Sequence, residues 1–238
     1  GAAYQWHNYG NSTIGARSDV ENVPIERLQA FYKTWYQPDN AVLVIAGDFD
    51  PAQALATVGE RFGALPRPTR ALPVTYTREP AQDGERHVVV RRVGCTPYLV
   101  AGYHIPAGRH DDSAAVAVLS QVLGSTPGGR LHRKLVEPGR ATGASASALA
   151  MDEPGYLTFV AEAPEGSDLD ALQAELLALV EDAAATPFTD AEVDDAKQRM
   201  LAGYERAMRD PNAIGVALSE AIAQGDWRLL LRTRDRLD

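Results

Sequence analysis

The stretch WYQPDNAVLVIAGDFDP, Trp35 to Pro51, constrains the fold of this chain more than any other. Its apolar run, Ala41-Val42-Leu43-Val44-Ile45-Ala46, is too short to cross a bilayer and carries no polar residue at alternate positions. Such a run reads as a strand covered on both faces. Asp50 before Pro51 offers an N-cap acceptor and a residue suited to the first helical turn. Leu55, Val58 and Phe62 then recur on one helical face until Gly63. The predicted unit is strand, acidic corner, amphipathic helix.

A chain of 238 residues with 45% hydrophobic content can bury a large core, as one big domain or two modest ones. A Pro-rich stretch, PRPTRALP, favours two. It sets the expected modules at residues 1–66 and 74–238, joined by a linker at 67–73. The second module is expected to open with an antiparallel pair, His87–Val93 and Tyr98–His104. A helix from about Asp112 to Leu123 follows, with Val116, Leu119, Val122 and Leu123 inside, then a short helix from Arg130 to Val136. Tyr156–Glu162 reads as a strand, and Ser167 as the cap of a helix bearing Leu169, Leu172, Leu176, Leu179 and Val180 on its apolar side. Thr189 and Glu192 form a capping box for a long helix with Val193, Met200, Leu201, Tyr204 and Met208 at core spacing. Another helix follows Pro211 and stops near Gly225. Strand, acidic corner and helix recur in both halves, which hints at duplicated modules. The expected fold class is α+β, two related modules, each an antiparallel sheet layered with helices. Gly1-Ala2-Ala3-Tyr4 starts without a cap, and Trp227–Leu237 is a helix-like run that stops without one. The first module is therefore expected to be truncated at its N-terminus and the second at its C-terminus.

Charge narrows the partners. With 32 acidic against 23 basic residues the formal charge is −9, which disfavours nucleic-acid backbone or anionic lipid as the main partner. Arg91-Arg92 and Arg232 to Arg236 read as solvated faces. The one cysteine, Cys95, cannot form an internal disulfide, and its apolar surroundings predict a packed thiol.

Catalytic patterns are sparse. The five histidines, His7, His87, His104, His110 and His132, include no pair four apart, so a helical zinc pair is missing. Asp111-Asp112 and Asp194-Asp195 sit in or before helix first turns, where negative charge complements the helix dipole. GSTPGGR lacks the Gly-Lys-Ser/Thr of a phosphate loop, and Ser18 in TIGARSD has no nucleophile elbow. No metal ligand and no catalytic residue is expected within these residues.

Several stretches taken in order do carry a resemblance. YQWHNYGNSTIGARSDVENVPIERLQAFYKTWYQPDNAVLVIAGDFDP resembles the part of the pitrilysin/insulinase family of zinc peptidases that closes the first domain of their repeating fold. His7, Tyr9, Gly10, Gly15, Tyr36, Pro38, Asn40, Gly47, Asp48 and Pro51 carry the match. YHIPAGRHDD, LGSTPGGRLHRKLVEPGRA and QGDWRLLLRTRDRL resemble the next domain, most of all in long bacterial members whose two halves form a clamshell. The resemblance implies the N-terminal half of such a zinc metalloendopeptidase, with zinc on an inverted H-x-x-E-H helix outside this segment. It implies unfolded peptide or small protein as substrate, and the other clamshell half or a second subunit as partner. No membrane insertion by this segment is expected, and periplasm or cell envelope is favoured. The family's substrate-binding Arg and Tyr, seven residues apart, fall here on Val136 and Gly143, whose side chains donate no hydrogen bond. The segment therefore reads as scaffold and chamber wall. The alternative is a non-catalytic polypeptide-binding or assembly subunit of the same family. A sheet edge in the first module is expected to take the peptide as an added strand.

Overall fold

The computed structural model describes residues 1–182 and 185–237. They divide into two units, Gly1–Val89 and Val90–Asp238.

In the second unit a three-stranded antiparallel sheet carries the core. The strands are β1 (Tyr98–Ile105), β2 (Gly143–Leu149) and β3 (Gly155–Glu162), in the order β1-β3-β2. Register sorts the side chains by face: Ala101, Phe159 and Ala146 lie in one row, and Tyr103, Leu157 and Ala148 in the next. These join the buried cluster that includes Leu123, Leu131, Leu135, Leu172 and Leu176. Helices α4 (Ser113–Gly124) and α5 (Leu169–Glu181) lie against β2 and β1 respectively. The approach of α4 is close: a Cβ on Gly124 would lie 2.2 Å from the Ala146 nitrogen, so glycine is what admits the strand there.

Three further helices complete this unit, α6 (Asp190–Ala207), α7 (Pro211–Ala223) and α8 (Leu229–Asp235). The capping box is present as predicted, with Thr189 Oγ accepting from the Glu192 N–H and Glu192 accepting from the Thr189 N–H. On α6, Ala196 is buried, Val193, Met200, Leu201 and Tyr204 are half-buried, and Met208 is exposed. The α5 cap is Asp168, one residue beyond the predicted Ser167; its carboxylate accepts from the Asp170 and Ala171 N–H groups. Ser167 instead donates to the Pro164 carbonyl. The predicted short helix at 130–136 is largely a π-helical turn, His132–Val136.

Two expectations for this region fail. Residues 87–93 form no strand, and among the described residues β1 pairs with β3 alone. Arg91 and Arg92 side by side also break the alternation that would define a buried face. Cys95 is exposed, since the segment that was to bury it is unpaired.

The first unit contains α1 (Arg17–Asn22), α2 (Ile25–Trp35) and α3 (Pro51–Phe62), with short 3-10 turns at Asn8–Gly10 and Pro38–Asn40. The Asp50 cap is as predicted, its carboxylate accepting from the Gln53 N–H. No strand occurs among its described residues, so the sheet expected there is not observed. The run Ala41–Ala46 is unpaired, and Val42, Leu43 and Ile45 are exposed, as are Leu55 and Phe62 of α3. The face of α3 that periodicity marks as apolar is not buried: Leu55 and Phe62 are exposed and Val58 is half-buried. Among the described residues of this unit Tyr4 alone is buried.

What holds this unit is polar. The Glu79 carboxylate accepts from the backbone N–H groups of Gln5, Trp6 and His7 at 2.8, 2.9 and 3.0 Å. Arg86 donates to the carbonyls of Ala2 and Ala3. Arg70 forms a two-pronged pair with Asp39 and donates to the Thr34 carbonyl. These contacts tie residues 70–86 to the first unit, so the division falls after Val89 and not at the Pro-rich stretch 67–73. Burial acts to raise the Glu79 pKa, but the three N–H groups and the Arg86 charge outweigh it and hold the carboxyl at about 2.

Candidate functional site

The sheet of the second unit has one face turned to the helices and one without a helical layer. Along the latter, register places Val100 beside Val160 and Ser145, Gly102 beside Thr158 and Ser147, and His104 beside Tyr156 and Leu149. Small and polar groups occupy its middle, with Tyr98, Val100 and Leu149 exposed. Both edge strands lack proline, Lys, Arg and acidic residues, and among the described residues no strand pairs with the outer edge of β1 or β2.

Behind the sheet lies a cleft of about 900 Å³ lined by Gln121, Ser125, Arg130, Arg133, Lys134 and Glu192 among others. Its charged centre is a latch. Arg130 gives two hydrogen bonds to the Glu192 carboxylate at 2.9 and 2.8 Å and one each to the carbonyls of Thr186 and Pro187. Its guanidinium also lies 4.2 Å over the Phe188 ring, and Arg133 adds a further bond to Glu192 at 2.6 Å. The Arg130 bonds hold the Glu192 carboxyl well below the usual carboxylate range, with burial opposing. A carboxylate bound by two guanidiniums and a backbone N–H is a poor proton acceptor, so the latch reads as a structural clasp. It ties the glycine-rich turn and the π-helical turn to the start of α6.

The positions singled out in the sequence do not line this cleft. Val136 ends the π-helical turn and packs partly buried against the core. Gly143 opens β2 opposite Glu162, where a Cβ would lie 3.2 Å from the Glu162 Oε2. The histidines are dispersed. His7 caps the first 3-10 turn by accepting from the Tyr9 N–H, and His110 accepts from the Asp112 N–H. His132 lies 3.6 Å from Glu137. Among the described residues no group of three His, Cys, Asp or Glu side chains converges to hold a metal ion, so the side chains here do not fit a catalytic zinc.

Two features were missed by sequence reasoning. Strand β2, GASASAL, consists of residues with weak strand propensity, and only its pairing with β3 reveals it. The clasp was half visible, since the capping box marks Glu192, but nothing local links it to Arg130, 62 positions away.

Residues 22–200 match the model of the peptidase M16 inactive domain. A zinc protease of Helicobacter pylori, PqqE, is 28% identical over 227 residues, covering 94% of this chain and 51% of that protein. The crystal structure of a protease from H. pylori superposes with a TM-score of 0.92 at 28% identity, over 99% of this chain and 58% of that one. The first half of the periplasmic protease PqqL of Escherichia coli shares the fold at a TM-score of 0.68 and 21% identity, over 94% of this chain and 51% of that one. The chain spans about half the length of the curated relatives it matches. It has a mixed fold of helices and a small antiparallel sheet, and it belongs to the peptidase M16 inactive-domain family.

Proposed function

We propose that this chain is the non-catalytic wall of a zinc-dependent metalloendopeptidase that degrades or processes unfolded peptides in a clamshell chamber. The observation that carries the reading is the match of most of the chain to an inactive peptidase domain, together with 28% identity to a zinc protease across 94% of it. Zinc, when bound in such a protein, polarises the scissile carbonyl and activates water. Its ligands in this reading are residues outside positions 1–238. The helix-free sheet face around Val100, Ser145, Ser147 and Thr158 is the proposed wall, and an undefended strand edge suits capture of an extended peptide. The sequence placed that edge in the first unit; the edges available among the described residues are those of β1 and β2. The other half of the clamshell, or a second subunit, closes the chamber. A cell-envelope location is favoured by the fold shared with a periplasmic protease, and among the described residues no helix is long and apolar enough to cross a membrane.

The test is hydrolysis of an unfolded, fluorescently quenched peptide by the full-length protein, alone and with candidate partner subunits. Chelator-sensitive turnover is expected, and its absence in every combination would replace this reading with the second one. That second reading is a polypeptide-binding subunit without activity. Its specific support is that Val136 and Gly143 stand where the family resemblance puts an Arg and a Tyr. With a partner supplying that pair, Val136→Arg leaves turnover nearly unchanged; a large rise would show that the pair is missing from the assembly.

A further inference from the structure

Residues 80–85 form a loop held at both ends. On one side the Glu79 carboxylate accepts from the Gln5, Trp6 and His7 N–H groups, and on the other Arg86 donates to the Ala2 and Ala3 carbonyls. The anchors also face each other, with Arg86 Nη1 3.8 Å from Glu79 Oε1, and their side chains are sheltered at 22% and 12% exposure. Between them every residue is exposed, and none belongs to a helix or strand. The span of this loop therefore sets how the two anchors together meet residues 2–7.

At the tip of the loop Asp83 precedes Gly84, where the chain bends. It is the one Asp-Gly step in the sequence, which has no Asn-Gly. A glycine nitrogen is not shielded by a neighbouring side chain, and its backbone reaches conformations closed to other residues. The surroundings are open as well, since a Cβ on Gly84 would meet nothing within 4 Å. Gln82 Nε2 donates to the Gly84 carbonyl at 2.7 Å and closes the bend. Among the described residues, the Asp83 carboxylate and the Gly84 N–H have no hydrogen-bond partner. Asp50 and Asp210 are exposed too, but each caps a helix and precedes a proline, which has no N–H.

We propose that Asp83-Gly84 is a site of spontaneous backbone isomerisation, and that its product, isoaspartate, loosens the clamp on residues 2–7. The Gly84 nitrogen attacks the side-chain carboxyl carbon of Asp83. A C–N bond forms, the carboxyl C–O bond breaks, and the hydroxyl leaves with the amide proton as water. A second water then opens the cyclic imide. Attack at the side-chain carbonyl restores aspartate, whereas attack at the main-chain carbonyl leaves Gly84 joined through the side-chain carbon. One water is lost and one regained, so the conversion is redox-neutral and leaves the mass unchanged. The main chain gains one atom inside a loop whose two ends hold a single short segment. Glu79 and Arg86 then no longer meet that segment in one register.

The experiment ages the full-length protein at neutral pH and maps its peptides by electron-transfer mass spectrometry, which distinguishes isoaspartate from aspartate. The expected result is an isoaspartyl form of the peptide containing Asp83 that grows with time, is lost in Asp83→Glu and is strongly reduced in Gly84→Ala. The open space around Gly84 lets that alanine variant fold. A peptide that stays wholly aspartyl would overturn the proposal, as would equal conversion in Gly84→Ala. Conversion only in urea-unfolded protein would overturn it too, by showing that the fold keeps the two groups apart. The aspartyl and isoaspartyl forms are then separated by chromatography and their amide exchange compared. Protection of the Gln5, Trp6 and His7 amides is expected to fall by about 10-fold, the worth of one hydrogen bond to a charged group. Equal protection in the two forms would overturn the loosening. No step uses zinc, so failure here is distinct from failure of the peptidase reading.

Discussion

The two units of this chain use similar sequence devices and differ in what covers them. Both contain capped amphipathic helices beside apolar extended segments. In the second, α4 and α5 close over a sheet and bury Leu123, Leu157, Phe159 and Leu176. In the first, α2, α3 and the run Ala41–Ala46 present equivalent apolar faces to water, and carboxylate and guanidinium clamps supply the long-range ties. Periodicity therefore reports which face of an element wants burial, and the rest of the polypeptide decides whether it is buried.

The largest expected contrast comes from truncating one aromatic in each unit. Phe159→Ala removes a side chain buried between sheet and helices and is expected to cost about 3–5 kcal/mol, against about 0.5 kcal/mol or less for Phe31→Ala in this chain. Urea denaturation followed by circular dichroism measures both. Equal losses would mean that the first unit has a core of its own. Breaking the clasp comes next: Arg130→Ala removes the two-pronged pair and the bonds to the Thr186 and Pro187 carbonyls, leaves Glu192 to Arg133 and the Thr189 N–H, and is expected to cost about 2 kcal/mol. Arg130→Lys should recover only part of that, because an ammonium cannot supply the paired geometry.

The polar clamp of the first unit makes a pH prediction. The Glu79 carboxyl is lowered from 4.5 to about 2, so its contribution is fully present above pH 4.5 and is lost as pH falls toward 2. Protection of the Gln5, Trp6 and His7 amides, relative to their intrinsic exchange at each pH, should fall across that window, and Glu79→Gln should remove that fall. A flat profile in the unaltered chain would mean that other contacts hold the segment. The smallest effects are at helix caps. Asp168→Ala and Asp50→Ala each remove a cap acceptor worth about 1 kcal/mol. The first should lower the cooperative stability of the second unit, while the second should reduce only local protection of α3.

Much of this was legible in the sequence because the signals are local. Asp50-Pro51 fixed a helix start, Thr189 and Glu192 fixed another, and the β1 and β3 segments showed strand character. The failures are all questions of partnership. Ala41–Ala46 reads as a covered strand, yet no described residue pairs with it; His87–Val93 reads as half of a hairpin, yet it forms no strand. Strand β2 was hidden for the opposite reason, since Ala and Ser make a strand only when a partner and a close helix require small side chains. The proposed wall is legible only after register is known, because Ser145, Ser147 and Thr158 are scattered in sequence and adjacent in the sheet.

In the proposed function these residues are scaffold, and the zinc is held by residues outside them. Elemental analysis of zinc, after dialysis against zinc-free buffer, tests it on the purified 238-residue chain and the full-length protein side by side. The account predicts one tightly held zinc per full-length molecule and none above background in the 238-residue chain. Stoichiometric zinc in the 238-residue chain would contradict it, because its five histidines include no pair at the spacing of a helical zinc site.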